Sequence, residues 1–364
     1  METTMKDNIV VVGGYGHVGK MICKELGDLY PGKVYAAGRN VERAEQFCRS
    51  TSGKVKPLKL NVQEAADPNM LARAKLVIMC LDQSDTAFVR SCFNSGTHYV
   101  DVSANRAFLA QVEQRQEEAA ANGATAILSV GLAPGLTNLM ALQAQQLMDE
   151  TKSIDISIML GMGDQHGQAA IEWTVNNLNT SFEVIQDGRP ITVASFTDGK
   201  HIDFGADWGR RAAYRFNFSD QQTLPRTLGV PTVSTRLCFD SAAVTALFAG
   251  ARAAKMFSLL KVEWIRRAVV RSFGMMRIGE ETFAVKIDAR GCKAGEDAWV
   301  ECFLHGKNEA EITARVAVFA ANAVYGSSFP HGVYHMEQLF GPESLQAVTR
   351  EIADLEIRID RRKQ

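Results

Sequence analysis

The 364-residue sequence has almost no excess charge of either sign, since 40 Lys and Arg residues stand against 41 Asp and Glu residues. Dedicated nucleic-acid-binding proteins are usually strongly basic, so the net charge of −1 argues against that class. With 46% hydrophobic residues, the chain also lacks the polar bias of disordered proteins and can form one large or two ordinary domains. We therefore expect a soluble globular protein.

The sequence also lacks paired cysteines and an obvious targeting signal. Its seven cysteines are scattered, and none shows the C-x-x-C spacing of zinc or redox sites. The first residues carry charges ahead of a short apolar stretch, unlike a signal peptide. The uncharged run 119–148 is long enough to span a bilayer, but its Asn, Gln, Gly and Pro residues would leave polar groups unsatisfied there. We expect a cytoplasmic protein with reduced thiols and without membrane insertion.

Short apolar runs alternate with longer amphipathic segments in the first third of the chain. Strands are predicted at 9–12, 33–37, 55–60, 75–80, 98–102 and 124–130, and helices at 18–29, 41–50, 68–73, 85–94 and 108–122. This alternation predicts right-handed crossovers and an α/β fold with a doubly wound parallel sheet. Ligands bind such sheets at the carboxyl ends of the strands, near the point where the strand order reverses.

A glycine-rich loop follows the first predicted strand directly. Gly14, Gly16 and Gly19 form a G-x-G-x-x-G pattern. These glycines permit a tight turn, close approach of a pyrophosphate and close helix–strand packing, and the following helix N-terminus attracts phosphate. The same dinucleotide site is expected to include Tyr15, His17 and Val18. Tyr15 either closes over the cofactor or shields the end of the strand. A glycine turn without a ligand is the alternative, and the strand–loop–helix context argues against it.

The residue at the end of the second strand predicts the type of dinucleotide. NAD enzymes usually have an acidic residue there, whereas this chain has Arg39, twenty residues after Gly19. A guanidinium can pair with a 2′-phosphate and stack on adenine, the alternative being a solvated surface arginine. We therefore predict NADP(H) as the cofactor, with Asn40 beside Arg39 and Asn61 as an adenine contact.

Polar residues near two later strand ends are the candidate catalytic groups. Tyr99, Asp101 and Ser103 alternate along one predicted strand, so all three point to the same face. A purely structural network is the alternative for this triplet. Asp82 can exchange a proton through water or cap the next helix. The loop after the fourth strand is also expected to line the cofactor pocket with Cys80 and Leu81.

Several segments of the chain resemble the saccharopine dehydrogenase family of Rossmann oxidoreductases. They are Gly13–Gly19, Ala37–Arg39, Gly96–Ser103, Ser129–Asn138 and Gly332–Glu337. The resemblance covers the first domain almost continuously and the region from Asp155 to Glu309 only loosely, and Asn61 stands where many relatives have Asp. It implies a Rossmann domain over 1–132, an inserted α+β substrate and dimerisation domain over 133–309, and a segment 310–364 that returns to the Rossmann domain.

The resemblance also implies a chemistry. Known relatives act on C–N bonds, so the chain is expected to transfer hydride between NADP(H) and the imine or amine carbon of a small amino-acid-like substrate. The segment from Tyr99 to Ser103 is then placed beside the nicotinamide and the substrate. Two alternatives stay open: a carbonyl or other C=X reductase, and a non-catalytic NADP-binding sensor or scaffold. We expect a homodimer.

Substrate-binding candidates lie in a loop and in the middle domain. Pro134 and Gly135 are expected to form a backbone wall with Asn138 near a helix start, and a turn with a helix cap is the alternative. A bidentate guanidinium is a natural anchor for a carboxylate, and Arg226 and Arg236 are the candidates.

The histidines and one basic segment allow more than one interpretation. His166 and His201 are candidate acid–base groups or surface histidines. His331 and His335 have i, i+4 spacing, but the sequence there disfavours a helix and offers no third ligand, so we predict no metal site. The segment 250–277 carries seven Lys or Arg residues against one Glu. A membrane-surface helix, a partner helix, an oligomer contact and a solvated helix all fit it.

Overall fold

The chain divides into two units in the computed structural model, which describes residues 6–163, 167–275 and 279–361. The first unit runs to Gly135 and resumes with Thr313–Leu339, and the second comprises Leu136–Ile312 and the chain from Phe340 onward. We predicted that the whole segment 310–364 returns to the first domain. Only its first part does so, because the last strand pairs within the sheet of the second unit.

Six strands alternate with helices in the first unit. In chain order they are β1 (Asn8–Val12), α1 (His17–Leu29), β2 (Val34–Gly38), α2 (Val41–Arg49), β3 (Val55–Lys59), α3 (Pro68–Arg73), β4 (Ala74–Met79), α4 (Ala87–Asn94), β5 (His98–Asp101), α5 (Arg106–Glu113), α6 (Gln116–Ala121) and β6 (Thr125–Leu128). The single helix predicted over 108–122 is two helices. The chain tightens between them, where the Arg115 N–H bonds to the Val112 carbonyl at 2.9 Å.

The second unit begins with a helix and continues with mixed elements. They are α7 (Thr137–Gln146), β7 (Glu150–Leu160), α8 (Gln168–Asn177), β8 (Ser181–Gln186), β9 (Arg189–Ala194), β10 (Lys200–Asp203), β11 (Arg210–Arg215), α9 (Asp220–Thr227), β12 (Val233–Phe239), α10 (Ala242–Ala253), a 3₁₀ helix (Met256–Lys261), α11 (Glu263–Met275), β13 (Thr282–Lys293) and β14 (Glu296–Lys307). The chain then returns to the first unit, which contains most of α12 (Glu309–Gly326) together with β15 (Gly332–His335) and α13 (Met336–Leu339). It ends in the second unit with α14 (Glu343–Thr349) and β16 (Ala353–Arg361).

The first unit is built on a parallel seven-stranded sheet in the order β15-β6-β5-β4-β1-β2-β3. Its apolar runs are buried as predicted, with Ile9 and Val12 both at 0% exposure. The strand order reverses at β1, which has β2 on one side and β4 on the other. This reversal is the switch point at which such sheets bind ligands. The predicted Rossmann-type fold of this unit is confirmed.

The second unit contains a mixed seven-stranded sheet in the order β10-β11-β12-β7-β13-β14-β16. Strands β12 and β7 are parallel, and their other neighbours are antiparallel. Helix α7 packs on β7, β13 and β14, and β8 and β9 form a separate hairpin. The α+β character predicted for the second domain is therefore confirmed. Of the helices that the structure describes, none is both long and apolar enough to cross a bilayer.

Candidate dinucleotide site and its polar network

The glycine-rich loop lies between β1 and α1, at the carboxyl end of the central strand. A Cβ on Gly14 would lie 2.7 Å from Ala36 Cα, and one on Gly19 would collide with the carbonyl oxygen of Gly13. A Cβ on Gly16 would meet only that same carbonyl oxygen, at 3.0 Å. Packing therefore requires glycine at positions 14 and 19. At Gly16, the absence of a side chain leaves space for a phosphate to approach the backbone.

The N-terminus of α1 offers unpaired donors beside this loop. Gly16 is the N-cap and provides no side-chain hydrogen bond, and the first turn carries no acidic residue. The first N–H groups of α1 are thus left for an anion. Beside them, His17 Nε2 is buried and has no hydrogen-bond partner in the described part of the chain. The open glycine and the unsatisfied imidazole nitrogen fit a bound pyrophosphate, and Val18 lies in the same turn.

Tyr15 crosses from the loop to the end of β2. Its hydroxyl accepts a hydrogen bond from the Asn40 N–H at 2.9 Å. Its ring lies against Gly38, where a Cβ would approach ring atoms within 2.6 Å. Tyr15 therefore shields the strand end, and the absence of a side chain at Gly38 makes room for it.

Arg39 and the two asparagines differ in their availability for a ligand. Arg39 is exposed, and within the described residues it forms no hydrogen bond or ion pair. Asn40 caps α2 by accepting a hydrogen bond from the Arg43 N–H at 2.7 Å. Asn61 donates to Glu64 Oε1 at 2.8 Å and accepts from the Gln63 N–H at 3.2 Å, so its amide is engaged in its own turn. Of the three, Arg39 has the most freely available side chain.

A second arginine, which the sequence reasoning missed, lies beside Tyr15. The Arg43 guanidinium is 5.4 Å from the centroid of the Tyr15 ring. It lines a cavity of about 310 Å³ together with Lys20 and Lys24, and no carboxylate is found among the described residues that line this cavity. Three cations without an acid suit a phosphate group. The signal was present in the sequence, because Arg43 follows Arg39 by four residues and lies in the first turn of the next predicted helix.

The end of β4 reaches the glycine loop. The Cys80 N–H donates to the Val12 carbonyl at 3.0 Å, and a Cβ on Gly13 would lie 3.0 Å from a methyl carbon of Leu81. Burial raises the pKa of Cys80 to about 12, so its thiol stays protonated. Asp82 is exposed, and the helix cap considered for it is made by Asp85, which accepts a hydrogen bond from a backbone N–H of α4 at 2.9 Å.

The predicted polar triplet, of which Tyr99 and Asp101 lie on β5 and Ser103 follows it, forms one hydrogen-bonded network. The Tyr99 hydroxyl donates to Asp101 Oδ2 at 2.5 Å and accepts from Gln83 Nε2 at 2.8 Å. The other carboxylate oxygen, Asp101 Oδ1, accepts from the Ser103 N–H at 2.7 Å. Tyr99 and Asp101 are both at 0% exposure, and Ser103 and Gln83 are buried as well. The structure thus brings the side chains of Tyr99 and Asp101 together and adds Gln83, whereas Ser103 joins through its backbone N–H and not, as predicted, through a side chain on the same strand.

Burial sets the protonation of this network. Desolvation raises the pKa of Asp101 to about 7, while the hydrogen bonds from Tyr99 and Ser103 oppose the rise. The negative charge of Asp82 raises the same pKa further. Burial also raises the pKa of Tyr99 well above its ordinary value, with Asp101 adding to the effect. Near neutral pH, Asp101 can therefore both give and take a proton, whereas Tyr99 remains a hydroxyl.

A second polar network connects distant segments of the first unit, and no sequence pattern predicted it. Ser129 Oγ lies 2.8 Å from His335 Nδ1, and His335 Nε2 lies 3.0 Å from Glu113 Oε1. Glu113 also accepts from Arg106 Nη1 at 2.8 Å. Ser129 is buried and has a φ of 57°, a left-handed conformation uncommon outside glycine. The network joins the carboxyl ends of β6 and β15 and holds the start of the loop that follows β6.

Comparison with known proteins identifies the first unit. Residues 9–127 match the family model described as the saccharopine dehydrogenase NADP binding domain. This part of the chain is therefore similar to the NADP-binding domains of the saccharopine dehydrogenase family. Its cofactor is NADP(H), and the protein is an oxidoreductase. No protein of curated function matches the sequence.

The chain is similar to solved structures of low sequence identity. The chain is similar to apo saccharopine dehydrogenase (L-Glu forming) from Saccharomyces cerevisiae, with a TM-score of 0.66, 14% identity, and coverage of 97% of this chain and 100% of that one. It is also similar to the C. glutamicum DAP dehydrogenase in complex with DAP, with a TM-score of 0.45, 12% identity, and coverage of 95% and 97%. The first of these similarities shows the fold predicted for this chain.

The residues predicted to bind substrate in the loop after β6 are buried. Pro134 and Gly135 belong to the first unit, and Asn138 lies at the start of α7 in the second. Gly135 has a φ of 134° and packs against the Ser129 carbonyl, which a Cβ would approach to 3.0 Å. A side chain is therefore disfavoured at Gly135 by both its conformation and its neighbours. The role of Pro134, Gly135 and Asn138 in substrate binding stays a prediction.

Arg236 is placed differently from what its predicted role requires. It is 1% exposed, and its guanidinium donates to Asp198 Oδ2 at 2.6 Å, Asp155 Oδ1 at 3.3 Å and Ser234 Oγ at 2.7 Å. Two internal carboxylates already engage it, so Arg236 holds the second sheet together instead of presenting a free fork to a substrate. Arg226 is exposed in the last turn of α9.

Of the two candidate acid–base histidines, the structure describes only His201. His201 is exposed on β10, and His166 lies outside the described residues.

Proposed function

We propose that this oxidoreductase transfers hydride between NADP(H) and the carbon of a C–N bond in a small amino-acid-like substrate. The observation that carries the proposal is the buried Tyr99–Asp101 pair at the carboxyl end of β5, with a carboxyl whose pKa is raised to about 7. An imine accepts hydride readily only when its nitrogen is protonated, so such an enzyme needs a proton donor of near-neutral pKa. The similarity of residues 9–127 to the saccharopine dehydrogenase NADP binding domain supports the same chemistry.

The residues around the glycine loop would hold the dinucleotide. The open side of Gly16 and the first N–H groups of α1 would bind the pyrophosphate, and the buried nitrogen of His17 would complete its contacts. Arg39 and Arg43 would pair with the 2′-phosphate, which favours NADP(H) over NAD(H). When bound, the nicotinamide supplies or accepts the hydride.

The Asp101 network would donate a proton to the substrate nitrogen and accept it back. Protonated Asp101 is a donor toward an imine, and its carboxylate stabilises the resulting cation. Because Asp101 is fully buried, exposed Asp82, which is close enough to raise its pKa, would connect it to solvent. Tyr99 and the Ser103 N–H fix the carboxyl in one orientation, so little reorganisation is needed during the reaction.

A coupling assay tests this proposal. The protein is incubated with NADPH, pooled primary amines and pooled oxo acids or aldehydes, and coupled secondary amines are sought by mass spectrometry. We expect products that contain both an amine and a carbonyl component, formed far more slowly by Asp101→Asn at nearly unchanged affinity for NADPH. Asp85→Asn, which changes an exposed carboxylate two residues before α4, is the matched control. Reduction of simple ketones without an amine, at equal rates in Asp101→Asn, would contradict the proposal and favour a carbonyl reductase.

We also propose that the protein works in the cytoplasm. All seven of its cysteines are free thiols, and five of them are buried. A reducing compartment keeps such thiols unpaired. Fractionation of the source cells, followed by immunodetection of the protein, tests this location.

A further inference from the structure

One surface of the second unit combines exposed apolar side chains with positive charge. It extends from α10 through the 3₁₀ helix to α11, and we call it the 247–275 platform. Its exposed apolar members are Leu247, Met256, Leu259, Val262, Trp264 and Met275. They are six of the ten large hydrophobic residues that are exposed in the described chain, and Trp264 is 71% exposed. Clustering of this kind marks a contact surface, whereas isolated exposed hydrophobic residues need no explanation.

Helix α11 shows that this exposure follows a regular helical face. Trp264, Arg267, Arg271 and Met275 are all exposed and recur at helical spacing along one side. Val270, which lies on the other side, is buried. The helix thus packs one apolar face into the unit and presents a second, mixed apolar and basic face away from it.

Aromatic packing holds the platform in place from beneath. Phe248 of α10 contacts both Phe257 of the 3₁₀ helix and Phe273 of α11, with ring centroids 6.0 Å apart in each pair. Phe248 and Phe273 also contact Phe239 of β12, with centroids at 5.4 Å and 6.1 Å. The exposed residues therefore sit on a preformed support anchored to the second sheet, and their exposure does not result from loose packing.

The charge of the platform is strongly one-sided. Between 247 and 275 the chain has six Lys or Arg residues and one Glu, although its overall net charge is −1. Glu263 pairs with Arg266 and Arg267. Lys255, Lys261 and Arg271 form no ion pair with any residue that the structure describes. Uncompensated cations thus lie among the exposed apolar side chains.

We propose that the 247–275 platform docks the protein on an anionic membrane surface. Interfacial helices combine an apolar face with flanking Lys and Arg, and tryptophan is enriched at the membrane–water boundary. Anionic lipid headgroups complement the three unpaired cations, while the apolar side chains enter the headgroup region. A symmetric contact with a second copy would instead bring two faces of the same positive charge together, which disfavours that occupant.

Vesicle binding by the full-length protein tests the proposal. The protein is sedimented with vesicles of phosphatidylcholine alone or of phosphatidylcholine with phosphatidylglycerol, at low and high salt. We expect binding only to the phosphatidylglycerol vesicles, weakened by salt, together with a blue shift of tryptophan emission. Trp264→Phe should remove most of that shift, although the other three tryptophans remain.

Charge reversal separates specific docking from general electrostatics. Lys255→Glu, Lys261→Glu and Arg271→Glu together should lower vesicle affinity about tenfold or more. The matched control reverses three exposed lysines elsewhere, Lys56→Glu, Lys59→Glu and Lys152→Glu, and should retain most of the affinity. NADPH affinity checks that both variants are folded.

Two results would overturn the proposal. One is equal vesicle binding by the platform variant and the control variant. The other is an unmodified protein that does not bind vesicles and forms a dimer by light scattering, where Trp264→Ser dissociates the dimer. The platform would then be a contact between copies of this chain.

Discussion

The Tyr99 hydroxyl donates a hydrogen bond to Asp101 Oδ2 at 2.5 Å, and neither side chain is exposed to solvent. Such a carboxyl is difficult to ionise, because burial removes water from the charged form and two hydrogen bonds restore only part of the loss. The pKa of the same carboxyl, about 7, allows it to exchange protons near neutral pH. Under the proposed function, folding stability and catalysis therefore depend on the same titration of Asp101.

The stability of the protein should fall as pH rises toward 8. The pKa of Asp101 is raised from 3.8 to about 7 in the folded state, so its favourable protonated form is present at pH 5 and is lost as pH passes 7. Relative to Asp101→Asn, the wild type should lose roughly 3 kcal/mol of unfolding free energy between pH 5 and pH 8. Urea unfolding at both pH values measures this difference. Parallel pH dependence in the two proteins would mean that Asp101 titrates normally.

The glycines of the loop should divide into one binding position and one packing position. Gly16→Ala should leave the protein folded, because the Gly16 φ of −75° suits any residue. The added methyl group should weaken NADPH binding at least tenfold, because it would occupy the space through which the pyrophosphate approaches the backbone. Gly19→Ala should lower the unfolding temperature, because its Cβ would collide with the Gly13 carbonyl. Calorimetry with NADPH and thermal unfolding separate the two effects. Undiminished NADPH binding by Gly16→Ala would place the pyrophosphate elsewhere.

Arg39 and Arg43 should distinguish NADPH from NADH. Each of Arg39→Ala and Arg43→Ala removes a proposed charged partner of the 2′-phosphate. Each should weaken NADPH binding by about 10- to 100-fold, with little effect on NADH binding. Titration of both dinucleotides, followed by quenching of protein fluorescence, measures the two affinities. Arg49→Ala, at the far end of α2, is the control and should change neither. Equal losses for NADPH and NADH would show that the arginines act on something other than this phosphate.

The first unit could be predicted closely because its contacts are short-range or periodic. Buried parallel strands appear as continuous apolar runs, and the position of the glycine loop follows from the strand before it. The alternation of Tyr99 and Asp101 along β5 was enough to place both on one face. What alternation does not show is how completely the pair is buried, which determines its pKa.

Contacts between distant segments were missed for a physical reason. Ser129 and His335 are 206 residues apart, and they meet only because β6 and β15 are neighbours in the sheet. Asp155 and Arg236 are 81 residues apart and meet through the parallel pairing of β7 with β12. Strand pairing across an insertion leaves no local pattern, so Arg236 was interpreted from its residue type alone.

Replacement of Arg236 should destabilise the second unit and not merely weaken substrate binding. Burial opposes ionisation of Asp155, yet its pKa is lowered because Ser234, Lys200 and Arg236 stabilise the carboxylate. Arg236→Ala would leave this carboxylate without its buried partner and should cost about 3 kcal/mol of unfolding free energy. Arg210→Ala, at an exposed position at the start of β11, should change stability by less than about 0.5 kcal/mol. Urea unfolding and substrate KM are measured on both variants. A stable Arg236→Ala protein whose only defect is a raised KM would return Arg236 to the role of substrate anchor.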